Sequence, residues 1–185
     1  MLDKKEIRLL PANLSMAEEL LDYCLRNRSF LAPFEPKRTE EYFTEEHQRK
    51  LLERDDEDAK KDISYHFYIY IESRMIGMVG INGVVRGPFQ SAFLGYKLDG
   101  AYLNRGFMTA AVGEVVRYAF DELNLHRLEA NVMPRNKASL RVLEKNGFTN
   151  EGMASEYLNI NGIWEDHIHM VKLNQNWKEI IKNHT

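Results

Sequence analysis

The chain lacks the features that mark several large functional classes. One cysteine, Cys24, among 185 residues leaves no partner within the chain, which sets aside a disulfide-framed extracellular scaffold. No apolar run approaches the roughly 20 residues of a membrane-spanning helix, and no charged-then-apolar leader opens the sequence. Export and membrane insertion are therefore not expected, and a cytoplasmic protein is. Lysine and arginine number 25 against 28 aspartate and glutamate, a formal net charge of −3. General nucleic-acid binding depends on a basic face, so it is not expected either. Repeats and low-complexity tracts are missing as well. What is present is 44% apolar content over a length suited to one core, so residues 1–185 are expected to form a single domain.

Two short stretches carry the most information. Leu103-Asn104-Arg105-Gly106-Phe107-Met108-Thr109 follows residues 91–98, whose aromatic and aliphatic content reads as a strand. After Gly106 the apolar positions Met108, Ala111, Val112, Val115, Val116, Ala119, Phe120 and Leu123 recur every three to four residues, forming one broad helical face. A helix is expected to open near Gly106. The first N–H groups of a helix lack internal acceptors and its dipole adds roughly half a positive charge there, so such a turn suits a phosphate. Gly106 permits close approach to the backbone, and Arg105 adds a cation. An Arg-Gly pair is also common punctuation at a helix start, and the turn alone leaves both readings open.

The second stretch is Asn131-Val132-Met133-Pro134-Arg135-Asn136-Lys137-Ala138-Ser139. Residues 127–133 alternate like a half-buried strand, and Pro134, which cannot donate to a ladder, stops it. Asn136 occupies an N-cap position with Ser139 three residues on. Simple capping accounts for Asn136 but gives Ser139, a middling helix former, no task of its own.

Strand, Arg-Gly turn, long helix, strand, Asn-x-x-Ser helix and then Lys145-Asn146-Gly147-Phe148 resembles, in that order, the GNAT superfamily of acyl-CoA-dependent N-acetyltransferases. The segment Glu151-Gly152-Met153-Ala154-Ser155-Glu156-Tyr157-Leu158-Asn159-Ile160-Asn161-Gly162, with Trp164 and Asp166-His167 behind it, is similar to the Rim-type N-terminal acetyltransferases of ribosomal proteins. The resemblance implies an α/β (α+β) GNAT fold whose mixed, mostly antiparallel sheet is splayed at the acyl-CoA slot. It implies acetyl-CoA as co-substrate, with Arg105, Gly106, Phe107, Met108 and Thr109 giving backbone amides to its pyrophosphate. A strand ending near Leu98 would part from the one carrying Asn131 and Val132, leaving room for pantetheine. Asn136 would touch that arm, and Arg141 and Lys145 would meet an adenosine phosphate. The chain departs from the family pattern at Leu103, where Gln or Arg is usual, and at Met108, where Gly or Ala is usual; both contacts run through backbone amides.

A third departure bears on the chemistry. Many family members resemble one another in a tyrosine seven residues after the Asn, which protonates the departing thiolate; here that position is Leu143. In the Rim-type branch the role falls to the serine, here Ser139, with the acidic residue before Tyr-Leu, here Glu156, as general base through water. An amine must be neutral to attack a thioester, so a carboxylate has work to do, and positioned proton transfer contributes about 10²- to 10⁴-fold. A backbone N–H near Leu98 would stabilise the developing oxyanion. The resemblance implies a protein N-terminus as acceptor, with a ribosomal protein reached through direct protein contact. A small amine such as a polyamine, amino sugar or antibiotic is the alternative, and a non-catalytic acyl-CoA sensor is a third. Glu156 by itself also reads as a solvated residue in a strand at 155–160, before an Asn161-Gly162 hairpin turn of the primed type.

The remaining segments read more plainly. Residues 6–10 suggest a strand and residues 15–26 a helix, with Ser15 as cap and Glu18 completing a capping box. Cys24 on that helix reads as a buried thiol. Phe30, Pro33 and Phe34 lie in a turn-like apolar segment that borders the acceptor in the resembling family, though loop packing explains them equally. An acidic helix is expected over 39–58; residues 40–62 hold ten Asp or Glu and five Lys or Arg, either a solvated face or a rim that steers a cationic tail. His167 and His169 share a strand face, but no third ligand accompanies them and no metal is expected. His126 reads as structural, facing a helix end. Residues 174–183, with Trp177, Ile180 and Ile181, suggest a short packing helix or an edge contact in a homodimer.

Overall fold

The computed structural model describes residues 7–178. Seven strands form one sheet: β1 (Ile7–Pro11), β2 (Tyr65–Ile71), β3 (Arg74–Val85), β4 (Ser91–Leu98), β5 (Arg127–Val132), β6 (Thr149–Ile160) and β7 (Ile163–Leu173), in the spatial order β1-β2-β3-β4-β5-β7-β6. The helices are α1 (Ala17–Leu31), α2 (Glu45–Lys60), α3 (Phe107–Asp121) and α4 (Lys137–Lys145). Every neighbouring pair of strands is antiparallel except β4 and β5. β6 and β7 are joined through Asn161 (φ 55°) and Gly162 (φ 88°), two successive left-handed residues as the primed turn requires.

The parallel junction positions the site. It holds for three pairs only, Ser91↔Arg127, Ala92↔Leu128 and Phe93↔Glu129. Beyond them β4 stays bonded to β3 as far as Leu98↔Gly77, and β5 stays bonded to β7 as far as Val132↔Ile168. Each strand is therefore held on its outer edge while the inner edges part. Asp99 gives its N–H to the Ile76 carbonyl on the β3 side; because peptide groups alternate along a strand, those of Leu98 and Tyr96 face the gap.

Side-chain alternation divides the sheet into two faces. On one, Val79, Ile81, Ala92, Leu94, Leu128 and Ala130 pack against the apolar stripe of α3; the periodicity read after Gly106 is buried as expected, from Met108 to Ala119. On the other, α1 and α2 cover the β1–β4 half with a smaller core that includes Tyr23, Cys24, Leu52, Tyr68 and Tyr70. Cys24 is buried there.

Several local expectations are corrected. Ser15 is not a helix cap: Asn13 accepts its N–H at 2.9 Å and caps a short 3-10 turn, so α1 starts at Ala17 and runs on to Leu31. The acidic segment is not one helix. A 3-10 turn, Glu40–Phe43, precedes extended Thr44, whose hydroxyl accepts the His47 N–H and starts α2. His126 lies beyond the end of α3 and packs edge-on against Trp177, ring centroids 5.8 Å apart. Trp177 itself donates to the Asn124 carbonyl at 3.0 Å; the rest of the suggested C-terminal helix, from residue 179, lies outside the described residues.

Candidate active site

Two helix N-termini point toward the splay. Gly106 precedes α3 with φ 81° and no side-chain cap. The first helical bond runs from Ala110 N–H to the Gly106 carbonyl at 3.0 Å, which leaves the N–H groups of Phe107, Met108 and Thr109 without an intrahelical acceptor. No atom lies within 4 Å of where a Gly106 side chain would start, so the space before the turn is open. Met108 turns into the core, which explains how a large residue is accommodated at a usually small position. Arg105 is exposed, its guanidinium 5.4 Å from the Tyr102 ring centre. Arg141 and Lys145 are exposed one turn apart on α4.

At the second N-terminus Asn136 caps α4, its Oδ1 accepting the Ser139 N–H at 3.1 Å. The simple capping reading of Asn136 therefore holds in this structure. Ser139 has a partner that the sequence did not suggest. The Tyr96 hydroxyl, from β4, lies 2.8 Å from Ser139 Oγ and donates to the Ser139 carbonyl at 3.0 Å. A phenol has one proton; when the carbonyl takes it, the serine hydroxyl becomes the donor in the shorter contact. Burial pushes the Tyr96 phenol well above its ordinary pKa, so it remains protonated. Leu143 is fully buried, leaving these two hydroxyls at the slot.

On the opposite face, Asn131 donates to the Tyr157 hydroxyl at 3.3 Å while its own Oδ1 is buried without a partner. Val132 points the other way, into the core with Leu98. Tyr157 rests edge-on against His169 (4.9 Å) and tilts against His167 (5.6 Å). His169 Nδ1 lies 2.7 Å from Glu129 Oε1, and His167 Nδ1 lies 2.9 Å from the Glu165 carbonyl. The histidines thus shelve an aromatic ring; among the described residues no group of three or more side chains is arranged to hold a metal.

Glu156 does not sit in a regular strand. Between Ala154↔His167 and Leu158↔Glu165 the register advances four residues on β6 against two on β7. In this bulge Glu156 adopts φ 51°, and its N–H is caught by Asp166 Oδ1 at 2.8 Å. A non-glycine residue held there costs on the order of 1–3 kcal/mol, and such strain and such bulges concentrate at functional sites. The carboxylate is exposed.

A cavity of about 250 Å³ lies beside β4 on this same face, reached by Tyr23 and Cys24 of α1, Glu35, Tyr42, Lys97 of β4 and Asn161 of the β6–β7 turn. Lys97 Nζ pairs with Glu35 at 3.0 Å. Burial draws the Lys97 ammonium down, but the fields of Tyr42, Glu35 and Cys24 outweigh it, and the net direction is up. Leu31, Ala32 and Pro36 complete the wall from the 30–36 segment, whereas Phe30 and Phe34 lie outside the lining. Phe30 instead lies across Gly100, close enough that a methyl group there would sit 3.1 Å from its ring.

Comparison with known proteins accords with this geometry. Residues 7–149 match the family model described as an acetyltransferase (GNAT) domain. A Bacillus subtilis protein named "Probable N-acetyltransferase YjcK" is 48% identical over 94% of this chain and 97% of its own. The crystal structure of a ribosomal-protein-S5-alanine acetyltransferase from Vibrio fischeri superposes with a TM-score of 0.89 at 39% identity, covering 94% of each chain. Mycobacterium smegmatis RimJ, solved in complex with CoA-disulfide, follows at TM-score 0.87 and 26% identity, covering 94% of this chain and 84% of that one. A parted parallel junction with open strand edges, and a bare helix N-terminus beside it, fit a long thioester with a pyrophosphate. The chain belongs to the GNAT acetyltransferase family and is an acetyl-CoA-dependent N-acetyltransferase.

Proposed function

We propose that this chain acetylates the α-amine of a protein N-terminus, with an alanine-starting ribosomal protein as the leading acceptor. The observation that carries this reading is the end-to-end likeness to the Vibrio fischeri S5-alanine enzyme, joined to a bulge that presents Glu156.

In this reading Arg105, Gly106, Phe107, Met108 and Thr109 take the pyrophosphate, and Arg141 and Lys145 take the adenosine phosphate. Asn136 and the edge at Asn131 and Val132 border the pantetheine arm. The Leu98 N–H faces the thioester oxygen, where it stabilises the tetrahedral intermediate. Glu156, through water, removes a proton so that the amine attacks as a neutral nucleophile. As the C–S bond breaks its electron pair goes to sulfur; the Tyr96 hydroxyl turns its proton from the Ser139 carbonyl to Oγ, which frees the serine proton for sulfur, and solvent afterwards returns a proton to Ser139. Phe30 and Phe34 border the path by which a longer acceptor approaches.

The test is thiol release from acetyl-CoA by wild type and Glu156→Gln with peptides starting in Ala or Ser, polyamines and aminoglycosides. Turnover on the peptides that collapses in the variant supports the reading. Release with small amines alone moves the acceptor class, and release unchanged in the variant removes Glu156 as base.

A further inference from the structure

The cavity beside β4 is not charged as a cation-seeking acceptor site should be. Its walls carry Arg28, Lys37, Arg38 and Lys97 against one carboxylate, Glu35. Glu35 is taken by Lys97, and Arg28 by Glu40. Arg38 lies over the Tyr42 ring at 4.5 Å, and neither it nor Lys37 has a carboxylate partner among the described residues. None of the acidic side chains of α2 lines the cavity, and four of them, Glu45, Glu46, Asp56 and Glu57, are paired to Arg49, Lys50, Lys60 and Lys61.

A second, independent feature lies deeper. Tyr23 is among the residues lining the cavity, is 1% exposed, and its hydroxyl is buried with no hydrogen-bond partner. An orphaned buried hydroxyl costs about 1–3 kcal/mol, a cost that an incoming acceptor atom relieves. Burial and the nearby Glu35 push its pKa well up, so it meets a ligand as a donor. At about 250 Å³ the space suits one or two residues of a chain or a small metabolite, and not a folded surface.

We infer that this cavity selects acceptors bearing a carboxylate near their primary amine, received by the Tyr23 hydroxyl and the Lys37, Arg38 and Lys97 cations. The inference rests on the acetyl-transfer reading above. An acidic side chain close to a protein N-terminus and a free amino acid share that chemistry. Lys97 and Tyr96 are adjacent in β4 and point to opposite faces, so an acceptor anchored at Lys97 lies against the strand whose edge borders the slot.

The experiment compares kcat/KM for three peptides that differ only in Glu, Gln or Lys after an N-terminal Ala, together with free glutamate and its diamide. Wild type should favour Glu over Lys by about tenfold, and the K37A/R38A double variant should erase that preference. Tyr23→Phe, which removes only the orphaned oxygen, should raise KM for carboxylate acceptors several-fold while leaving the thermal midpoint unchanged or higher. Free glutamate turned over faster than the Glu peptide supports the small-molecule source, and the reverse order supports the protein source. Equal rates for the three peptides, a preference for Lys, or an unchanged KM in Tyr23→Phe overturns the inference while acetyl transfer stands. No transfer to any acceptor overturns both.

Discussion

The two faces of β4 are built on different plans. On the slot side, the groups proposed to bind acetyl-CoA are mostly backbone: three N–H groups after Gly106, the N-terminus of α4, and peptide groups of parted strands. On the acceptor side they are side chains drawn from α1, the 31–38 segment, β4 and the β6–β7 turn, with a strained bulge supplying Glu156. A backbone cradle tolerates side-chain drift, as Met108 turned into the core shows. A side-chain cavity changes its ligand with each substitution. One fold thereby keeps its co-substrate while varying its acceptor.

The largest expected effect separates the two sides. Glu156→Gln should lower kcat by about 10²- to 10⁴-fold with acetyl-CoA affinity unchanged, read by turnover and by calorimetric titration. A matching loss of acetyl-CoA affinity would mean that the bulge belongs to both sides. Next, Ser139→Ala should lower kcat by about 10²-fold, with little change in the KM of either substrate. Gly106→Val should do the opposite, weakening acetyl-CoA by about tenfold, because a β-branched residue at φ 81° costs at least 1–2 kcal/mol and distorts the turn. If Gly106→Val altered kcat alone, the cradle would not be the phosphate site.

Tyr96→Phe tests a residue the sequence did not single out. It should lower kcat by about three- to tenfold and leave acceptor KM unchanged, since both hydroxyl contacts to Ser139 are lost and the ring stays in place. A change in acceptor KM instead would mean that the strand had shifted, not the serine.

What the sequence revealed follows the same division. The α3 stripe, the Asn136 cap, the strand at 91–98 and the primed Asn161-Gly162 turn were legible because each is local or belongs to a contiguous motif, whereas the splay was expected only through the family resemblance. Strands β2 and β3 were not read out: Tyr65–Ile71 is apolar on both faces, and Arg74–Val85 shows no clean period-two alternation. Glu156 was named only through the family resemblance, and its bulge was not foreseen, because its N–H is held by Asp166 on the neighbouring strand. The Tyr96 to Ser139 bond spans 43 positions and the cavity gathers residues from 23 to 161, so no local pattern announces either.

The smallest expected effect tests whether the α2 layer, which backs the acceptor wall through Gln48 against Cys24 and Tyr42, moves independently of the slot. His66 of β2 lies 3.0 Å from Asp55 of α2 through Nδ1 and 2.9 Å from Asn82 of β3 through Nε2, and Tyr68 donates to the same Asp55 at 2.9 Å. Burial draws the His66 pKa down, but the Asp55 carboxylate and Asn82 outweigh it and raise it above its ordinary 6.5, against a small opposing push from Arg54. A folded-state value raised above the unfolded one stabilises the fold fully below the unfolded value, and that stabilisation is lost as pH climbs through the folded value. Denaturant midpoints of wild type should therefore fall relative to His66→Gln as pH rises from about 6 through the raised His66 value, a window named by the direction of that shift. Acetyl-CoA affinity should stay level across the same range, because α2 packs on β1–β3 and on no group proposed to hold the co-substrate. A parallel decline in both would show that loosening the acceptor wall also opens the slot, and that the two faces of β4 are coupled through the strand.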